Sequence, residues 1–386
     1  MIVADFRIIN KNLSDCCGCG SCRDVCPKEA ISMVADDEGF LYPQVSQDKC
    51  INCGLCTKKC PTEQNNLTQN NHILESVCGK YDNCEKVKQT SSGGFCDAAA
   101  YQFIESGGVV YGAAYSQDYH TVVVTRIDRK EDLFKVRGSK YVQTIKPSGI
   151  FKEIKEDIKN NTPVLFIGVP CDVAAVKNHI GNSLLLTTIE IICSGVPSPL
   201  VHTQFVSHLE EKKNCKVTSF TYRKKQHGWH WPYVEAKSND RVIYNKSWST
   251  MALGYAFLTL VRPSCYRCKF KGIYNKADIT AGDFWGLKKS DSRYNKNGVS
   301  AVIIHTERGK KLVKQLQNFD FSPATYEEIL KGNPRLVSCP SQRPNRKIFS
   351  DSFKKYGLLK AYKNCMTPKD HLKNIVMSIY SILNLR

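Results

Sequence analysis

From about residue 77 the apolar positions fall into helical runs and short continuous runs in turn, the pattern of an α/β chain. Residues 95–104 have helical spacing behind Ser91-Ser92-Gly93-Gly94. Gly107-Gly108 then opens a predicted strand over 109–115, and 121–127 reads as another. Residues 149–159 return to the helical period. The run 164–168 is short and wholly apolar up to its closing glycine, as in a parallel strand covered on both faces. A helix over 172–179, a buried strand over 184–192 and a helix over 200–212 follow. The expected body is therefore α/β, with a mainly parallel or mixed sheet, over residues 77–330. Residues 1–66 form a separate N-terminal domain, 62–76 a polar linker, and 331–386 a basic C-terminal tail.

Composition narrows the function. The chain has 386 residues, 24% of them charged, with a net charge of +19. No stretch approaches the roughly 20 apolar residues of a membrane span; the longest near-continuous run, 251–261, is too short. The first residues carry no signal-peptide pattern, so a cytoplasmic protein is expected. Nineteen cysteines then need a reason. Cytosolic thiols stay reduced, which favours metal ligation or redox chemistry over disulfides.

Nine of the nineteen precede residue 61, in two copies of one spacing. The first is Cys16-x-x-Cys19-x-x-Cys22-x-x-x-Cys26-Pro27 and the second Cys50-x-x-Cys53-x-x-Cys56-x-x-x-Cys60-Pro61. Both match the bacterial ferredoxin run, whose fourth cysteine ligates the other cluster. Cys16, Cys19, Cys22 and Cys60 are thus expected on one 4Fe–4S cluster, and Cys50, Cys53, Cys56 and Cys26 on a second. Zinc knuckles are the bland alternative, but zinc pairs of Cys-x-x-Cys usually stand further apart. Cys17 fits no ligand slot. An α+β ferredoxin-like fold is expected here. The segment holds 7 basic and 9 acidic residues, and each oxidised cluster with its thiolates adds about −2. The positive charge belongs to the rest of the chain.

A second cysteine set lies in the body. Cys171 follows one predicted buried strand and Cys193 the next. Parallel neighbours joined by a right-handed crossover bring their C-terminal ends to one sheet edge, where such folds bind ligands. Cys265-x-x-Cys268 supplies two more thiolates. Four such ligands suit a third cubane or a zinc site; the alternative is two buried cysteines beside an unrelated loop.

Several motifs stand together in order: Cys171-Asp172-Val173-Ala174-Ala175-Val176, Cys193-Ser194-Gly195-Val196-Pro197-Ser198-Pro199, Cys265-x-x-Cys268 and Ala277-Asp278-Ile279-Thr280-Ala281-Gly282-Asp283-Phe284-Trp285-Gly286. With Ser91-Ser92-Gly93-Gly94 and Gly138-Ser139-Lys140-Tyr141, they resemble the beta subunit family of coenzyme F420 hydrogenases and dehydrogenases over roughly residues 12–300. The resemblance implies FAD, an iron–sulfur cluster in the body on Cys171, Cys193, Cys265 and Cys268, and electron flow between clusters, flavin and a second partner. It suggests flavin contacts at Ser91, Ser92, Gly93 and Gly94, whose amides precede a helix, at Lys140 and Tyr141, and at Gly282 and Asp283. Each has a plainer reading as loop, cap or solvated charge. No catalytic acid or base is indicated.

Arg223-Lys224-Lys225 followed by His227-Gly228-Trp229-His230-Trp231 is either a site for a planar anion or a partly buried loop. The segment 331–386 carries 12 basic and 2 acidic residues. Within it, 371–385 is amphipathic through Leu372, Ile375, Val376, Ile379 and Leu383, and rests either on the body or peripherally on an anionic membrane. No nucleic-acid motif accompanies the charge. The expected partners are an acidic redox protein such as ferredoxin, other subunits of a redox complex, and an anionic small molecule such as coenzyme F420. The rival expectation is a non-catalytic electron-transfer subunit; a zinc and nucleic-acid protein is the remoter one.

Overall fold

The structure, a computed structural model, describes residues 13–63, 72–272 and 277–368, with positions 370, 372, 375 and 376. Two short helices, α1 (Ser21–Asp24) and α2 (Leu55–Lys58), flank a hairpin of β1 (Ile31–Ala35) and β2 (Leu41–Val45) in the N-terminal module. Each helix begins behind a glycine in the left-handed region, Gly20 (φ 76°) and Gly54 (φ 71°). A side chain there would be strained, so glycine lets the cysteine loop turn sharply into its helix.

The body opens with β3 (Glu75–Tyr81), α3 (Cys84–Gln89), α4 (Phe95–Glu105), β4 (Val109–Tyr115), β5 (Val122–Ile127) and α5 (Ile150–Lys159). Strand and helix then alternate through β6 (Val164–Gly168), α6 (Pro170–Ile180), β7 (Leu186–Ile191) and α7 (Pro199–Lys213). A small antiparallel sheet follows, β8 (Ser219–Lys224), β9 (Tyr233–Ser238) and β10 (Arg241–Ser247), and then α8 (Ala252–Thr259). The chain returns through β11 (Ile279–Asp283), β12 (Ser300–Ile304), α9 (Glu307–Lys314), β13 (Phe319–Pro323) and α10 (Tyr326–Gly332), and continues in α11 (Arg346–Tyr356) and α12 (Leu358–Cys365).

Eight strands make one mixed sheet in the order β13-β3-β12-β11-β7-β6-β4-β5. The inner four, β11, β7, β6 and β4, run parallel, and the flanking strands pair antiparallel. The expected α/β body with a mixed sheet is therefore present, and its helices and strands stand where the periodicity predicts them. The register Gly168↔Glu190 places the ends of β6 and β7 side by side. Helix α6 starts at Pro170, whose ring presets the first turn and whose missing N–H costs nothing there. Helix α7 starts at Pro199 behind Ser198, which caps the Leu200 amide. Cys171 sits in the first turn of α6, just past β6, and Cys193 in the connection from β7 to α7.

Two boundaries differ from the expectation. Glu75 and Ser76, within the expected linker, already pair with Ile304 and Ile303, because β3 is a sheet strand between β12 and β13. Residues 64–71 of that linker lie outside the described residues. Helices α11 and α12, within the expected tail, pack with α7, α8 and the small sheet in a second core through Phe349, Phe353, Leu358 and Ala361. Burying each of the three large side chains is worth about 1.5–3 kcal/mol, which incorporates residues 346–365 in the body. The amphipathic segment 371–385 lies mostly outside the described residues; Leu372, Ile375 and Val376 are described and exposed. Among the described residues no helix is long and apolar enough to cross a membrane.

Candidate functional site

The module gathers its cysteines in two groups. Cys26, Cys50, Cys53 and Cys56 line one small cavity together with Ile31, Val45 and Gly54. Cys16, Cys19, Cys22 and Cys60 form the other. Burial pushes the Cys22 thiol far up, and the nearby Cys16, Cys60 and Cys56 push it further. Cys19 is raised by a hydrogen bond with Cys17, by burial, and by Cys60 and Cys22. Crowded thiols resist ionisation because each thiolate repels the next. A cationic iron–sulfur core would remove that repulsion, so the donor set fits the clusters the spacing predicts.

A buried arginine fastens this module to the body. Arg262 is fully buried, and its Nε donates to the Cys16 carbonyl at 2.7 Å. Its two terminal nitrogens reach Gln143 Oε1 and the Leu41 carbonyl, each at 2.9 Å. The guanidinium also stacks on Tyr42 at 4.3 Å. Gly18 (φ 69°) lies directly against it, where a Cβ would stand 2.8 Å from a guanidinium nitrogen. A second tie runs from Arg346 of α11 to Glu38, at 3.0 and 2.6 Å. Asp24 of α1 accepts from the Phe151 amide at the start of α5 at 3.3 Å.

The body cysteines are arranged as three plus one. Burial raises the Cys265 thiol to about 12, and Cys193 and Cys268 contribute. Burial raises Cys268 to about 11, with Cys193 and Cys339 adding to it and Lys271 opposing. Cys171, on α6, is raised first by a hydrogen bond with Cys17 of the module, then by burial; Lys146 opposes. Cys17, which the spacing left without a role, is therefore buried at the module–body junction beside Cys171. Lys146 and Asp172, both almost fully buried, form a 2.7 Å ion pair at the same junction. Among the described residues no three His, Cys, Asp or Glu side chains are placed to hold a single metal ion.

A cavity of about 310 Å³ opens at the C-terminal ends of the parallel strands. Its walls include Gly112 and Ala113 of β4, Phe166 to Gly168 of β6, Ile191 of β7 and Ala281 to Asp283 of β11. Of the suggested flavin contacts, Ser91, Ser92, Gly94, Lys140, Tyr141, Gly282 and Asp283 line it. Gly93 does not; its amide donates to Ser300 Oγ at 3.0 Å, and a Cβ would meet the Gly79 carbonyl at 2.2 Å. Two sequence-distant segments are joined here: Ser91 Oγ and Ser139 Oγ are 2.8 Å apart. Ser92 Oγ donates to the Gly282 carbonyl at 3.1 Å. Tyr141 turns its ring against Phe257 and against Trp248, which packs on the second core. Asp172 and Ser194, each next to a body cysteine, also face the cavity.

The cavity's electrostatics are set by buried charge. Arg223 pairs with Asp283 at 2.6 Å and lies over Trp285 at 5.7 Å. Arg137 pairs with Asp97 at 2.7 Å. Burial pushes the Lys140 ammonium down to about 7, while its Nζ donates to the Arg137 carbonyl at 2.9 Å. The basic aromatic loop is split by the fold. Trp229 is fully buried and stacked on Trp285, Lys225 donates to the Val87 and Ser92 carbonyls, and Trp231 remains exposed.

Residues 162–323 match the family described as the C terminus of the coenzyme F420 hydrogenase/dehydrogenase beta subunit. Residues 15–64 match a 4Fe-4S dicluster domain. The chain thus carries the C-terminal domain of those beta subunits over somewhat less than half of its length, behind a dicluster domain. It is an iron–sulfur electron-transfer protein of oxidoreductase type, related to those beta subunits. A solved chain of the F420-reducing NiFe hydrogenase complex from Methanosarcina barkeri is similar over 76% of this chain and 92% of its own, at 19% identity and a TM-score of 0.45. Comparison with curated proteins gives no match.

The family match spans Cys171, Cys193, Cys265, Cys268, Gly282 and Asp283. It ends before Asn333 and Arg335, which the structure adds to the cavity wall. Sequence reading passed over these two, and over Arg137, Arg262, Glu38 and Cys339. A single arginine or cysteine has no local pattern, and each gains its meaning from a partner far away in the chain.

Proposed function

We propose that the protein is an iron–sulfur flavoprotein oxidoreductase. It would move electrons between 4Fe–4S clusters, FAD and a two-electron partner, a deazaflavin or another anionic organic molecule. The observation that carries this reading is the cavity at the parallel strand ends, lined by seven of the eight suggested flavin contacts and bordered by neighbours of two body cysteines. Such strand ends are where α/β sheets bind nucleotides.

The ligand assignment is Cys16, Cys19, Cys22 and Cys60 for one module cluster and Cys50, Cys53, Cys56 and Cys26 for the other. Cys193, Cys265 and Cys268 would hold a third cluster, with Cys171 the fourth thiol suggested by strand order. FAD supplies the conversion between single electrons and a two-electron or hydride step.

The chain's own residues bind, orient and screen. The first turn of α4 lines the cavity and brings a helix N-terminus to a phosphate, while the Gly93 and Phe95 amides donate to Ser300 Oγ and the Gly94 amide to the Ser91 carbonyl. Gly94 lets the turn pack against Tyr81, since a Cβ there would stand 2.5 Å from its ring. Lys140 offers a cation, and Trp285 and the Arg223–Asp283 pair also line the cavity. Arg262 holds the Cys16 backbone to the body and so fixes the distance electrons cross.

Anaerobic purification with iron, sulfide and flavin analysis tests the reading. About twelve irons per chain and bound FAD are expected, with the flavin bleaching when reduced ferredoxin is added. Protein that neither carries nor binds FAD refutes the flavoprotein reading. The family's description as a beta subunit favours a second reading, a subunit that only relays electrons. Turnover of an acceptor by the isolated chain separates the two.

A further inference from the structure

We infer that Cys339 is the ligand that completes the body cluster of Cys193, Cys265 and Cys268. The inference rests on the proposal that the body holds a third 4Fe–4S cluster. Cys339 Sγ lies 3.6 Å from the Cys268 carbonyl oxygen. The segment carrying it is tied to the other ligand loops. Lys271 Nζ donates both to the Cys193 carbonyl, at 2.5 Å, and to the Arg335 carbonyl, at 2.6 Å. The Arg335 guanidinium in turn donates to the Cys339 carbonyl and to Ser338 Oγ. Gly195 closes the group from the other side. With φ 101°, it lies where a Cβ would stand 3.4 Å from both Cys265 Cβ and Pro340 Cγ. Three stretches of chain, 193–195, 265–271 and 335–340, therefore converge on one point.

The chemistry of the point agrees. A 4Fe–4S cluster takes four thiolates, and this convergence supplies four. The cluster and its thiolates carry about −2 when oxidised, and Lys271 and Arg335 bring two cations to the same loops. Cys339 is followed by Pro340, as Cys26 is by Pro27 and Cys60 by Pro61. Cys171 is engaged elsewhere: its thiol meets Cys17 of the module.

The test uses full-length protein purified anaerobically, with iron and sulfide analysis and electron paramagnetic resonance after dithionite reduction. Wild type is expected to hold about twelve irons. Cys339→Ser and Cys339→Ala should each fall to about eight, as should the reference variant Cys268→Ser, with the signals of the module clusters retained. Cys171→Ser should keep about twelve. If both Cys339 variants keep about twelve irons while Cys268→Ser loses four, the inference is overturned. Wild type with only about eight would instead refute the third cluster itself.

Discussion

Replacing Arg262 by methionine isolates what holds the ferredoxin-type module to the body. The substitution keeps an apolar stem of similar length and removes a fully buried guanidinium. It strands three acceptors, the carbonyls of Cys16 and Leu41 and the Gln143 side chain. Hydrogen bonds to a charged donor are worth about 1.5–3 kcal/mol each, so the gross loss is about 5–9 kcal/mol. The guanidinium no longer has to be desolvated, which returns part of this; the two module carbonyls left without a donor at the junction cost about 1–3 kcal/mol each. At 1.4 kcal/mol per decade, even about 3 kcal/mol raises the undocked population roughly a hundredfold. Hydrogen exchange followed by mass spectrometry reads this opening directly. The Phe151 amide reports on it, because its acceptor is Asp24 across the junction. Peptides spanning that amide should exchange about a hundredfold faster, while those of β6 and β7 in the sheet should not change. Arg262→Lys should lose nearly as much, since one ammonium cannot reproduce the three-way fork. Junction exchange within threefold of wild type in Arg262→Met would refute the reasoning.

Three further outcomes are expected. FAD should bind more tightly as pH falls from about 8.5 to 6, because Lys140, held down to about 7 by burial, gains its charge over that window. Fluorescence titration should show the trend, and Lys140→Met should flatten it; an unchanged slope would remove Lys140 from the anion site. Asp283→Asn leaves Arg223 buried without its carboxylate and should cost about 3–5 kcal/mol. A thermal midpoint equal to wild type would contradict that. Gly94→Ala forces a side chain to φ 97° and against Tyr81. It should cost about 1–3 kcal/mol and lower flavin occupancy, measured by urea unfolding and absorbance; unchanged values for both would show that the turn tolerates a Cβ.

Local pattern carried much of this protein. Within each cysteine run three thiols are spaced by tight turns, so these three meet by local geometry, and the repeat of the run points to the exchange of the fourth. The parallel centre of the sheet is legible for a related reason. A strand buried on both faces is largely apolar, and 164–168 and, apart from Thr187, Thr188 and Glu190, 184–192 announce themselves before any pairing is known. The positions of Cys171 and Cys193 follow from the strand–helix repeat.

What the sequence could not express was the meeting of distant segments. Whether Cys171 turns to Cys193 or to Cys17 depends on how the module docks, and that is set by Arg262 reaching Cys16 across 246 positions. The helices at 346–365 read as a basic tail because their outer faces are lysine-rich; only the second core shows where Phe349 and Phe353 go. The cavity wall likewise joins residues 91, 139, 223, 283 and 335. By itself the sequence carried the iron–sulfur spacing of the module and the strand–helix alternation of the body. The tertiary structure decided which buried charges and thiols became neighbours, because such contacts depend on packing between elements, for which a linear pattern holds no period.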